Sequence, residues 1–138
     1  QYQLSPLKGK TILLDFMATW CVPCQAASPI LARLQKEFGG EQLVILGIDD
    51  SEDPNTLTAF LQKHPVSYPV LLGRASSVRE DYHVTEYPTF VVVRPDGTVA
   101  AHEIGFYGEG QLRAMLRKAG AGLQPAASGE LQPGQSRN

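Results

Sequence analysis

Two short runs, Thr11 to Phe16 (TILLDF) and Gln42 to Asp49 (QLVILGID), are apolar at nearly every position rather than at every second one. A strand with that pattern is covered on both faces, as in the middle of a sheet layered by helices. Between them lies a helical pattern over Gln25 to Phe38, with Ala27, Ile30, Leu31, Leu34 and Phe38 on one stripe and Arg33, Gln35, Lys36 and Glu37 largely opposite. Two such strands joined through a helix form a βαβ unit with parallel strands. Gly39-Gly40 ends the helix, and Pro29 inside it is expected to kink it, because Pro has no N–H to bond back to residue 25. Asp15 interrupts the first strand; a carboxylate there is either on an exposed face or buried with a raised pKa.

The chain's only two cysteines stand at the junction of the first strand and this helix, in Trp20-Cys21-Val22-Pro23-Cys24. Residues three apart on a helix share a face, so the two sulfurs can close a small ring and make a reversible dithiol/disulfide couple. Cys21 at the helix N-terminus meets unpaired N–H groups and the positive end of the dipole, which favour a thiolate. It is expected to be the exposed nucleophile, with the better shielded Cys24 as the thiol that resolves a mixed disulfide. Two other roles compete for this pair. A structural zinc wants four ligands, and His64, His83 and His102 have no such spacing. A structural disulfide across three residues removes little entropy from the unfolded chain. Redox chemistry is therefore the reading of this pair, with no metal and no cofactor.

Farther along, Asp53-Pro54 starts a helix over about Asn55 to Lys63, with Asp as N-cap and Pro at the first helical position. The acidic cluster Asp49, Asp50, Glu52 and Asp53 lacks the alternation and Gly of a calcium loop and reads as charge at that helix N-terminus. Pro69 to Leu72 is a short strand, and Ser77 to Glu80 has capping-box spacing for a short helix ending near Tyr82. Arg94-Pro95-Asp96-Gly97 is a turn, so Thr89 to Arg94 and Thr98 to Ile104 form an antiparallel hairpin. A last helix over about Gly110 to Ala119 presents Leu112, Met115 and Leu116 on one face. The three histidines are expected at the surface.

A 138-residue chain with 43% hydrophobic residues makes one globular domain able to bury its own core. The formal charge of −2 and twelve dispersed Lys and Arg leave no basic face for nucleic acid. No stretch approaches the ~18 apolar residues of a membrane span. A chain that opens on Gln1 reads as processed or excised, which leaves room for a signal or membrane tether ahead of it.

Asp15 to Cys24 (DFMATWCVPC), Pro29 eight residues after the first cysteine, and Tyr87-Pro88-Thr89 before the hairpin together resemble the thioredoxin fold over roughly residues 8 to 119. The segment of about 50 to 82, an αβ insertion before the proline loop, resembles the TlpA/ResA/CcmG group, as does Leu7-Lys8-Gly9-Lys10. The resemblance implies an α/β thioredoxin-like fold, a central mixed sheet flanked by helices. On this reading residues 1 to 119 are the domain, 1 to 10 an N-terminal arm and 120 to 138 a flexible tail. It further implies that Pro88 is cis and lies against the disulfide, and that Asp15 sits beneath Cys24. Ala27 and Asp15 depart from the group, several of whose members carry Glu and Asn there, and Tyr87 is bulkier than the usual residue before the cis-proline.

The expected function is thiol:disulfide exchange, reducing protein disulfides in the bacterial envelope, of the cytochrome c maturation or copper-site assembly type. Cys21, Cys24 and Asp15 are the catalytic candidates, and Trp20, Val22, Pro23, Tyr87 and Pro88 the substrate-binding ones. The partners expected of a monomer are a substrate protein and an upstream reductant, with a membrane tether outside the given sequence allowed. The alternatives are a copper-binding thiol chaperone using the two thiolates, and a thiol peroxidase. For the latter, Thr19 has the right spacing before Cys21, but no proline lies upstream near Leu14.

Overall fold

The computed structural model describes residues 9–74, 76–120 and 123–125. Five strands form one sheet in the order β3-β2-β1-β4-β5. They are β1 (Thr11–Met17), β2 (Leu43–Asp49), β3 (Val70–Leu72), β4 (Thr89–Val93) and β5 (Val99–Ile104). The helices are α1 (Val22–Phe38), α2 (Pro54–Lys63), α3 (Val78–Asp81) and α4 (Glu109–Arg117). As the βαβ pattern requires, β1 and β2 are parallel, and β3 extends that side in parallel. β4 runs antiparallel to β1 and pairs with β5 as a hairpin, so the sheet is mixed.

All seven residues of β1 are buried, because each face of the sheet has its own apolar layer. Leu13 points to the side of α1 and α4, where it joins Ala27, Leu31, Leu34, Phe90, Leu112 and Met115. Ile12, Leu14 and Phe16 point the other way, among Leu46, Ile48, Val84 and Val91, with Val78 and Tyr82 packed on them. This is the period-2 alternation of a strand, and it decides where the odd residue Asp15 goes. Asp15 lies on the α1 face, between Leu13 and Met17.

Several boundaries differ from those the pattern suggests. The helix begins at Val22 rather than Gln25, since Pro23 in the first turn has no N–H to leave unpaired. It runs through Pro29 without a break in its span. Asp53 caps α2 as expected, accepting the Thr56 N–H at 2.9 Å. The capping box at Ser77 does not form: its hydroxyl bonds the Asp81 carboxylate at 2.9 Å, and no side chain caps α3. In the hairpin turn the Asp96 carboxylate accepts the Thr98 N–H at 2.9 Å, and Gly97 takes the positive φ of 92° that the turn needs. His64, His83 and His102 are exposed. Most of the expected tail, and residues 1–8 of the expected arm, lie outside the described residues.

Candidate active site

The site lies where β1 and β2 end side by side. Parallel pairing places Met17 opposite Asp49, so the segment leading to the cysteines and the acidic segment after β2 leave the sheet at the same edge. Ligand and catalytic groups concentrate at the carboxyl ends of parallel strands for this reason.

Cys21 and Cys24 are joined in a disulfide, with Cα atoms 5.2 Å apart. Cys21 is the N-cap of α1, and its Sγ accepts the Cys24 N–H at 3.2 Å. A helix start offers N–H groups with no partner inside the helix, and here one of them points at the sulfur that would carry negative charge after reduction. The expected difference in exposure is not there: in the disulfide form Cys21 is 3% exposed and Cys24 2%. Both sulfurs pack in a small apolar cluster with Met17 and Ala18, against which Phe60, Val70 and Tyr87 rest. What is open to solvent is the rim, with Trp20 67% and Val22 72% exposed and Pro23 beside them. The Trp20 and Tyr87 rings meet edge to face with centroids 6.0 Å apart.

The Tyr87-Pro88 bond is cis. The segment is fixed on its far side by the Gly105 N–H, which donates to the Pro88 carbonyl at 2.8 Å, and by the Thr89 hydroxyl, which donates to the Glu86 carbonyl at 2.7 Å.

Asp15 is 1% exposed, and its Oδ1 has no hydrogen-bond partner. Burial without compensation pushes its pKa up to about 7. A carboxyl at that value can take and give a proton near neutrality. Close to it, Tyr68 has its pKa raised by burial and then by the Asp15 charge, and its hydroxyl bonds Ser28 at 3.3 Å. Ser28 in turn donates to the Cys24 carbonyl at 3.3 Å.

Asp49, Asp50 and Glu52 are where the structure corrects the reading of the acidic run. Only Asp53 serves the helix N-terminus through its cap. Glu52 instead accepts the Thr19 N–H at 2.8 Å and the Thr19 hydroxyl at 2.7 Å. Asp50 is buried and accepts the Tyr87 hydroxyl. Burial and then that bond push the Tyr87 pKa up to about 12. Asp49 is raised to about 7 by burial and then by its hydrogen bond with Glu52. Burial also acts on Glu52, but the bonds from Asp49 and Thr19 outweigh it and hold Glu52 below its ordinary value. Of the two, Asp49 therefore keeps a proton to higher pH than Glu52.

None of Ser28, Asp50, Glu52 or Tyr68 was singled out as part of the site from sequence, and Thr19 only for its peroxidase-like spacing before Cys21. For Asp50 and Glu52 a signal existed: an acidic run directly after a strand that is parallel to the one leading into the cysteines. Among the described residues no group of three or more His, Cys, Asp and Glu is placed to hold a metal ion.

A family model described as AhpC/TSA matches residues 1–102, three quarters of the chain. The chain belongs to the AhpC/TSA family. Among curated relatives, the thiol-disulfide oxidoreductase ResA of Bacillus subtilis is 33% identical over 97 residues, which is 70% of this chain and 54% of ResA. The thioredoxin-like protein YneN of Bacillus subtilis is 30% identical over 105 residues, 74% of this chain and 61% of YneN. The chain therefore spans about half the length of the Bacillus subtilis ResA it matches. Among solved structures, the exposed lipoprotein thioredoxin Etrx1 of Streptococcus pneumoniae superposes with a TM-score of 0.72 at 24% identity, covering 84% of this chain and 90% of that one. StoA of Bacillus subtilis gives 0.68 at 19% identity, covering 79% and 84%. These likenesses establish the thioredoxin-like fold of this AhpC/TSA member.

Proposed function

We propose that this chain is a thiol:disulfide oxidoreductase that reduces disulfides in proteins outside the cytoplasm. The observation that carries the reading is the double role of Cys21, which is both the partner of Cys24 in a three-residue disulfide and the N-cap of α1. The name of the relative ResA, thiol-disulfide oxidoreductase, supports the activity, and the description of Etrx1 as an exposed lipoprotein supports the location. No helix among the described residues is long and apolar enough to cross a membrane.

The reaction starts from the dithiol. The Cys21 thiolate, held by the α1 N–H groups, attacks one sulfur of a substrate disulfide; a Cys21–substrate disulfide forms and the other substrate sulfur leaves as a thiolate. Cys24 then gives its proton to the Asp15 carboxylate, and the resulting thiolate attacks the Cys21 sulfur. The second substrate thiolate leaves, the Cys21–Cys24 disulfide is restored, and two electrons have passed to the substrate. A separate thiol protein returns the enzyme to the dithiol. Trp20, Val22 and Pro23 give the substrate an apolar rim, and the Tyr87 backbone before cis-Pro88 pairs with an extended substrate segment as an added strand would. Substrate candidates are extracytoplasmic proteins with paired cysteines, including apocytochromes c and proteins that assemble copper sites.

The test is a trap. Cys24→Ser keeps the nucleophile and removes the route of release, so a Cys21–substrate disulfide should accumulate in the envelope of an expressing bacterium and be identifiable after non-reducing capture. The same residue change in wild-type turnover assays should abolish reduction of a protein disulfide. Covalent partners drawn only from the cytoplasm would overturn the location. A reduced wild-type protein that binds copper but reduces no protein disulfide would overturn the activity.

A further inference from the structure

The turn between β2 and α2 reaches both walls of the site from one short stretch of chain. Glu52 takes two hydrogen bonds from Thr19, at 2.8 and 2.7 Å, two residues before Cys21. Asp50 takes one from the hydroxyl of Tyr87, which directly precedes cis-Pro88. Between these two anchors the Trp20 and Tyr87 rings are in edge contact. The turn is itself closed internally, since Asp49 Oδ1 accepts the Ser51 N–H at 3.3 Å and the Glu52 N–H at 3.1 Å. Thr19 and Tyr87 are 68 positions apart by their numbers in the sequence, yet both are held by residues separated by a single serine.

This arrangement is costly to fold. Asp49 and Asp50 are both buried, and the Oδ2 of Asp50 has no hydrogen-bond partner. Burying carboxyl groups with unpaired oxygens opposes folding, and neutral side chains would close the same turn at lower cost. Asp15, the other described carboxyl buried with an unpartnered oxygen, is also at the candidate site, and a cost kept at a reactive site points to use rather than to architecture. What the contacts accomplish is geometric. One bond fixes the main chain that carries Cys21, and the other fixes the side chain of the residue whose backbone faces the substrate.

We propose that this turn is a brace that sets the gap between Cys21 and the Tyr87-Pro88 segment, with Glu52 and Asp50 as its positioning residues. The proposal rests on the thiol–disulfide reading above. Neither residue touches the reacting sulfurs. Attack on a disulfide needs three sulfurs in line, and a misplacement near 1 Å can cost about a hundredfold in rate. A small, freely tumbling disulfide can follow a displaced Cys21, whereas a protein segment held against Tyr87 cannot. The brace therefore acts on selectivity for protein substrates more than on the bare reactivity of the thiolate.

The test compares initial rates of the dithiol enzyme on an intact insulin-type protein disulfide and on a small aromatic disulfide, for Glu52→Ala, Glu52→Gln, Tyr87→Phe, Asp50→Ala and the double variant Asp50→Ala/Tyr87→Phe. Glu52→Ala should lower kcat/KM for the protein substrate about tenfold more than for the small one. Glu52→Gln keeps an acceptor for the Thr19 N–H and should recover most of that loss. Tyr87→Phe and Asp50→Ala break the same bond, so each should raise KM for the protein substrate and the double variant should be no worse than the poorer single one. Tyr87→Phe removes the bond from the partly exposed side and keeps the result decisive if Asp50→Ala fails to fold. Equal losses on both substrates that follow Tm, with no recovery in Glu52→Gln, would overturn the brace. If wild type reduces neither substrate, the thiol–disulfide reading fails and the brace falls with it.

Discussion

In α1 the capping atom is the Cys21 sulfur, 3.2 Å from the Cys24 N–H; in α2 it is the Asp53 carboxylate, 2.9 Å from the Thr56 N–H. The geometry is the same, N-cap side chain to the N–H three residues on, and each helix carries a proline in its first turn. The acceptors are not equal. A carboxylate satisfies a helix start well, while a disulfide sulfur is a weak acceptor. α1 tolerates the weaker cap because it buries Cys24, Ala27, Leu31 and Leu34, whereas α2 buries only Leu57. The cap of α1 improves when the disulfide is reduced, because the sulfur then becomes an anion at the positive end of the helix. One helix spends its N-terminus on holding itself together and the other reserves it for a charge that exists only in one redox state.

The sharpest way to break this comparison is to make the two caps alike. Cys21→Asp gives α1 the cap of α2 and removes the nucleophile. Reduction of a protein disulfide should fall by more than about 10³-fold, because Cys24, the one thiol left, is not at the helix start and has no second thiol to release a mixed disulfide it forms. Tm should stay within a few degrees of the reduced wild type, since the better cap offsets the cost of placing a carboxylate in the apolar cluster of Met17 and Ala18. A large fall in Tm would mean that the sulfur, and not the N-cap position, is what α1 requires.

Asp15 supplies the next largest effect, and its sign follows from burial. Its folded-state pKa of about 7 lies above the ordinary value of 3.8. A carboxyl raised in this way favours the folded protein while it is protonated in both states, and the advantage is lost as pH rises from about 4 through about 7. Asp15→Asn removes that loss, so the variant should gain on the order of 4 kcal/mol over wild type in the disulfide form at pH 8, shrinking toward pH 4. Denaturant unfolding at the two pH values measures it. Asp49 titrates in both proteins and drops out of the difference. The same substitution should slow release of the mixed disulfide by roughly 10²-fold while leaving its formation much less affected, as expected for a lost proton acceptor at the second step. A stability gain without the kinetic defect would leave Asp15 buried but idle in the reaction.

The strands, the two long helices and the hairpin were legible because each rests on a local pattern that the tertiary structure did not override. So were the cysteines, since strand, tight turn and helix are all encoded within ten residues around them. Asp15 was legible only in part. Its place in β1 was clear, but which face it took depended on how its neighbours were covered, Leu13 by α1 and α4 and Met17 by the start of α1 and Phe60. The brace was missed because Glu52 finds Thr19, and Asp50 finds Tyr87, only after β1, β2 and β4 have been assembled. The run of acids was attributed to the nearest helix N-terminus, which accounts for Asp53 and for none of the others. The Ser77 capping box failed for a related reason, as Asp81 offered the hydroxyl a charged partner one turn away.

The smallest effect tests the other half of the comparison. Asp53 is fully exposed, and its pKa is lowered chiefly by the Thr56 N–H, which outweighs an opposing effect of desolvation and is helped by the Thr56 hydroxyl. A lowered carboxylate contributes stability above its ordinary pKa and loses it as pH falls through the folded value. Asp53→Ala should therefore lower Tm by a few degrees near pH 7, and the gap to wild type should narrow in acid. Because α2 starts directly after Glu52, the variant also asks how far the cap supports the brace. If α2 depends on its cap as its single buried leucine suggests, hydrogen exchange over 54–63 should quicken in Asp53→Ala, while reduction of a small disulfide changes little. Faster exchange reaching back to Thr19 would show that the two helix starts, alike in geometry, are also joined through the turn between β2 and α2.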